Sequence, residues 1–229
     1  MDDFKLSQRA TEKKNIRQGG PHFDPQLMAE YQNSPESGPP KGYFLKRPLD
    51  LLLSSLALII LSPVFLLISS LVKFTSPGPV FFRQQRLGVN EKPFMILKFR
   101  SMRTGSEKTG PQFTTTNDSR ITLIGKLIRK TSLDELPQLI NVFRGEMSLI
   151  GPRPYIGFEL KDTSPANRVI RSSVRPGISG LAQTSGRSAL SQETVIEFDL
   201  DYVNQCSLII DFKLVCRTLQ KVIVCDGSN

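Results

Sequence analysis

A chain of 229 residues with 39 % hydrophobic side chains has room for one sizeable domain plus appendages. Its formal charge of +9 lies wholly in residues 43–229, because six basic and six acidic side chains cancel in residues 1–42; such a basic face suits nucleic acid, anionic lipid or a phosphorylated substrate. The one histidine, His22, falls in that polar leading stretch, which excludes a Ser-His-Asp triad, a Cys-His pair or an HExxH zinc site from the folded part and leaves chemistry to Asp, Glu, Lys, Arg, Ser and Tyr.

Residues 1–42 mix charges with Gln, Asn, Ser, Gly19-Gly20 and Pro39-Pro40, have no sustained apolar period, and read as a disordered tail. No signal peptide is expected, since the first apolar run starts only near position 49. Leu51 to Val72 then gives 22 consecutive uncharged residues. At ~1.5 Å per residue that run matches the ~30 Å hydrocarbon core of a bilayer, so it reads as a membrane segment. Ser62-Pro63 stands at its middle, where proline removes a helix hydrogen bond and imposes a bend. Basic flanks occur on both sides, Lys46 and Arg47 before and Lys73, Arg83 and Arg86 after, which favours a helix that enters, breaks and returns to one face over a kinked single span.

Thr75-Ser-Pro-Gly-Pro79 reads as a turn, and Val80–Gly88 with Phe94–Arg100 as two short strands or extended pieces. Gly105–Asp118 is expected to be a loop, and its Gly105-Ser-Glu-Lys-Thr-Gly110 lacks the Gly-Lys-Ser/Thr ending of a phosphate loop. Ile121–Lys130 is a basic amphipathic helix, fit to lie in a headgroup plane or on an ordinary surface. Thr131–Asn141 follows, with Asp134 and Glu135 adjacent. Ser132 and Glu135 have capping-box spacing, although Pro137 argues for a later helix start; either register puts both acids at a helix N-terminus, where negative charge is stabilised. The pair serves either as first-turn residues or as an ionised, anion- or metal-facing group.

Arg153 between Pro152 and Pro154 is held on fixed backbone angles, which reduces the entropy lost when a guanidinium clamps phosphate. Arg175–Arg187 is turn-rich, with backbone N–H groups and two arginines able to approach an anion. Leu208, Phe212, Val215, Leu219 and Val222 recur at helical spacing, predicting a helix over 208–223 that is assigned to core packing ahead of an interface; Tyr202 near Asp199 is read as structural. Cys206, Cys216 and Cys225 are odd in number and lack CxxC spacing, which fits buried thiols in a reducing compartment. An aspartate is already ionised at pH 7 and needs no general base to attack phosphorus, with arginine and a divalent cation as usual partners. The residues thus point to phosphoryl chemistry at a membrane surface.

From about Phe44 to Cys225 the chain closely resembles the monotopic phosphoglycosyl transferases, bacterial sugar transferases that prime glycoconjugate assembly. The resemblance rests on Lys46-Arg47 with Asp50, Ser62-Pro63, Lys98-Phe-Arg-Ser-Met102, Leu127-Ile-Arg129 with Ser132–Gln138, Gly145-Glu-Met-Ser148 with Gly151-Pro-Arg-Pro154, Arg175–Gln183 and Asp211-Phe-Lys213. It implies transfer of a sugar 1-phosphate from a UDP-sugar to undecaprenyl phosphate at the cytoplasmic face of the bacterial inner membrane, releasing UMP. Asp134 would be the nucleophile, Glu135 its partner, and Mg²⁺ the cofactor held at the pair. Arg129 and Arg153 match phosphate-binding positions; Lys98, Arg100, Arg175 and Arg187 read either as functional cations or as surface charge. Ser62-Pro63 would make the re-entrant break, with Lys46 and Arg47 at its anchored end. The expected architecture is α+β and mainly helical: a tail over 1–42, a re-entrant membrane segment over 43–74, and a small catalytic domain with amphipathic interfacial helices over 75–229. A homodimer is left open. A tethered nucleic-acid-binding module is disfavoured, since basic residues are not interleaved with exposed aromatics and Trp is absent.

Overall fold

A computed structural model describes residues 42–106, 118–186 and 190–224. The expected tail, apart from Gly42, most of the 105–118 loop, and Arg187 lie outside them.

The apolar run forms two helices, α1 (Lys46–Ile60) and α2 (Ser62–Thr75), bent by 62° about Leu61. Pro63 lacks the N–H that would reach the Ile59 carbonyl, and the Ser62 hydroxyl donates to that carbonyl instead, at 2.8 Å. The Ser-Pro pair therefore bends the backbone while leaving its freed acceptor satisfied, a necessity in apolar surroundings. Ser55, Ser70 and Thr75 likewise donate to carbonyls four residues back. Among the described residues no single helix is long and apolar enough to cross a membrane.

Both ends of this hairpin are welded to the same domain. Lys46, predicted to flank the lipid, is only 6 % exposed and donates to the Ile150 carbonyl, Tyr202 Oη and Asp211 Oδ2. Arg47 donates to the Val142 and Phe143 carbonyls at the end of α4 (Gln138–Arg144), a site suited to a cation. These two charges anchor the hairpin to protein rather than to headgroups, because the domain offers buried acceptors that water would otherwise have to fill. Asp50 accepts from Ser148 Oγ and the Leu149 N–H. At the other end Ile68 and Val72 join Phe99 and Ile128 in one core cluster. Buried Arg100 ties down the exit by donating to the carbonyls of Val72, Ser76 and Pro77. Gly78, at φ +122°, is required there: a Cβ would meet the Arg100 guanidinium at 2.1 Å.

Strands β1 (Phe81–Leu87) and β2 (Pro93–Phe99) pair antiparallel, with Phe82 opposite Lys98 and Arg86 opposite Phe94. Helix α3 (Leu123–Lys130) is capped by the Thr122 side chain. After α4 comes β3 (Ser148–Ile150), which pairs parallel with β4 (Gly177–Ser179) beyond α5 (Pro165–Ser172). Gly151 and Gly177 permit that close crossing, since a Cβ on Gly177 would lie 2.1 Å from the Gly151 nitrogen. Helices α6 (Leu181–Ser185), α7 (Gln192–Gln205) and α8 (Leu208–Val224) complete a mostly helical α+β fold.

Of the predicted core stripe of α8, Val215 packs inward but three members face out. Leu208, Phe212 and Leu219 are exposed, whereas Asp211 and Leu214 are buried and Ile210 and Val215 pack beside them. Both faces of this helix are apolar, so periodicity has no preference; the Lys46–Asp211 ion pair at 2.6 Å fixes the choice.

Candidate active site

Asp134 and Glu135 lie in a 3₁₀ turn, Leu133–Glu135, between α3 and α4. The predicted capping box does not form. Ser132 adopts φ +57° with no side-chain cap bond, and α4 begins only at Gln138, behind Pro137. Pro137 favours this later start, because it has no N–H to give to a helix running through it. Consequently the expected stabilisation of negative charge gives way to its opposite. Burial pushes the half-buried Asp134 carboxyl up to about 6; Glu135 adds to the rise, while Lys98 and Arg129 oppose it.

Two elements place positive charge around that carboxyl, and a third segment lies near by way of Arg86. Lys98 reaches from β2 and pairs with Glu135 Oε1 at 2.7 Å. Arg129 is half-buried in the last turn of α3, within electrostatic range of Asp134. Arg153 is exposed between the buried prolines Pro152 and Pro154. Arg86 on β1 lies within electrostatic range of both Glu135 and Arg153, linking the acid pair to the Pro-Arg-Pro segment; burial lowers its guanidinium to about 10. Arg175 is placed differently: its Nε donates to the Gly145 carbonyl, and its charged neighbours are Arg47 and Asp50. Arg187 lies outside the described residues.

Two contributors escape a reading of the sequence. Arg86 counts there as a membrane flank, yet its alternation with Gln84 along a strand places both on one face, where Gln84 Oε1 accepts from Arg86. Asn141 is fully buried, and a lone amide inside Leu139–Phe143 was the available signal. It accepts from the Leu97 N–H and donates to the Met95 carbonyl, fastening α4 to β2 and so fixing Lys98 relative to the acid turn.

This arrangement sets a half-buried aspartate beside two cations, Lys98 and Arg129, which suits a nucleophile facing phosphate oxygens. Residues 41–225 match the family model described as bacterial sugar transferase. The chain belongs to the bacterial sugar transferase family. A bacterial sugar transferase of this kind is an enzyme of phosphoglycosyl transfer, in keeping with the resemblance carried by its motifs. The exopolysaccharide production protein ExoY of Sinorhizobium fredii is 42 % identical over 205 residues, covering 82 % of this chain and 90 % of that protein. The UDP-glucose:undecaprenyl-phosphate glucose-1-phosphate transferase of Escherichia coli K12 is 41 % identical over 184 residues, 77 % of this chain and 40 % of that protein. An Aeromonas hydrophila UDP-N-acetylgalactosamine-undecaprenyl-phosphate N-acetylgalactosaminephosphotransferase is 42 % identical over 191 residues, 81 % of this chain and 45 % of that protein.

Proposed function

We propose that this transferase moves a sugar 1-phosphate from a UDP-sugar to undecaprenyl phosphate, with Asp134 as covalent nucleophile. The relatives named for such transfers support the substrates, and the raised Asp134 carboxyl supports the role. A carboxylate with a pKa near 6 is still about tenfold more ionised than protonated at pH 7, yet is a stronger base than an ordinary aspartate. Asp134 Oδ attacks the β-phosphorus of the UDP-sugar, the bond from that phosphorus to the bridging oxygen breaks, and UMP departs. A phosphate oxygen of undecaprenyl phosphate then attacks the same phosphorus, restoring the free carboxylate. Arg129, Arg153 and Lys98 hold the nonbridging oxygens, whose charge would otherwise repel the nucleophile.

Asp134 and Glu135 are the residues that would hold Mg²⁺. Two adjacent carboxylates, one of them poorly hydrated, suit a cation that keeps waters and takes substrate phosphate oxygens. Among the described residues no group of three or more His, Cys, Asp or Glu could hold a metal ion. When bound, the cation supplies charge neutralisation at the diphosphate.

The bent pair α1–α2 supports a re-entrant membrane hairpin opening to the cytoplasmic face. Each arm of 14 or 15 residues is roughly 22 Å long, short of the ~30 Å core, and both ends are fixed to one domain, so a full span would put that domain on two sides of the bilayer at once. Phe74 and Leu123, 86 % and 84 % exposed, extend the apolar surface from α2 onto α3, as an interfacial helix requires. The test is UMP release from a panel of UDP-sugars with Mg²⁺ and undecaprenyl phosphate. Asp134→Asn is expected to lose at least about a thousandfold in rate; a variant at full rate would exclude the covalent route.

A further inference from the structure

The segment carrying Arg153 has an unusual support. Pro152 and Pro154 have no N–H, so the strap can be held mainly through its carbonyls. Four in succession are taken: Pro152 by the Gly177 N–H at 2.9 Å, Arg153 by Arg171 Nη2, Pro154 by Arg86 Nη1 at 3.1 Å, and Tyr155 by the Leu87 N–H at 2.9 Å. The middle two donors are guanidinium groups from separate elements, α5 and β1. Each is locked in turn. Arg171 Nε donates to buried Asp199 Oδ2 at 2.8 Å, and its guanidinium lies over the Tyr155 ring, 4.4 Å from the centroid. Arg86 donates to Gln84 Oε1 and, at 3.3 Å, to Glu159 Oε2, whose same oxygen accepts the Ile156 N–H. Neither guanidinium is spent on solvent; both hold main chain on one side and a carboxylate on the other.

We propose that Arg171, with Asp199 behind it, and Arg86 are positioning residues for Arg153: they clamp the two carbonyls that follow its Cα, its own and that of Pro154, so that the exposed side chain meets the substrate diphosphate from a fixed base. This rests on the reading of Arg153 as a phosphate-binding residue. A planar, forked donor is needed, because one group must reach a carbonyl and a carboxylate at once; a lysine ammonium on a flexible stem does not hold both in one plane. Misplacement of a substrate-holding group by about 1 Å can cost on the order of a hundredfold in rate.

The test is a double-mutant cycle with Arg171→Lys, Arg153→Ala and the pair, reading kcat and KM for the UDP-sugar at saturating lipid acceptor, with melting temperature alongside. If Arg171 acts through Arg153, Arg171→Lys alone lowers kcat/KM about ten- to a hundredfold, mainly through KM, and costs less than about twofold once Arg153 is alanine. Equal losses in both backgrounds, or full kcat/KM in Arg171→Lys, overturn the proposal. Should Arg171→Lys not fold, Asp199→Asn enters the same cycle, since it keeps an acceptor while removing the charge that locks Arg171. Failure of the underlying reading looks different: Arg153→Ala itself then keeps parental kcat/KM.

Discussion

At the scale of single residues, the site is organised around a charge the fold does not solvate well. Asp134 carries its carboxylate in a short 3₁₀ turn, where burial outweighs the attraction of Lys98 and Arg129. A carboxyl raised from the ordinary aspartate range to about 6 makes the folded protein hold a proton that the unfolded chain has released. Stability from this residue is therefore greatest at low pH and falls as pH rises through the window from about 4 to about 6. Without divalent cation, Asp134→Asn should melt at a higher temperature than the parent at pH 8, and the difference should shrink as pH falls toward 4. A parent that melts higher at pH 8 would show that the ionised carboxylate is well compensated. The Glu135–Lys98 pair, partly open to water, contributes little to stability and more to orientation. The acid pair and Arg153 stand out in the sequence as candidates by residue type and neighbours; the sign of the Asp134 shift does not, because desolvation depends on what folds over a carboxyl.

At the scale of elements, the bent pair α1–α2 shows where pattern suffices and where it does not. Length, hydropathy and Ser62-Pro63 located the break, since proline acts through its own missing N–H. The two β-strands were legible to within a residue at each end. The roles of Lys46 and Arg47 were not, because a basic residue beside an apolar run looks the same whether it meets lipid phosphate or a buried Asp211. The facing of α8 was missed for a related reason: one buried polar residue outweighed a stripe of apolar ones. With both hairpin ends tied to one domain, thiols introduced singly as Lys41→Cys and Pro79→Cys, in a chain with its native cysteines replaced, should both react with an impermeant reagent only from the cytoplasmic side. Labelling of the two from opposite sides would mean a spanning helix.

Across the whole molecule, the acid turn receives its partners from widely separated parts of the chain: Lys98 from β2, Arg129 from α3 and Arg86 from β1, with Arg153, from the segment after β3, within electrostatic range of Arg86. Buried polar ties hold these parts in place, Lys46 to Asp211 beneath the hairpin, Asn141 between α4 and β2, and Arg171 to Asp199 behind the Pro-Arg-Pro strap. Such long-range ties leave only single-residue traces in sequence, which is why α+β composition and motif order could be read there while the supporting contacts could not. The most direct test of the central claim is intact-mass spectrometry of the purified protein incubated with Mg²⁺ and its UDP-sugar in the absence of any lipid acceptor. The account predicts a mass gain of one sugar phosphate per chain, located on the peptide bearing Asp134 and matched by an equal amount of UMP. UMP appearing only when undecaprenyl phosphate is added, or an adduct that persists in Asp134→Asn, would contradict it.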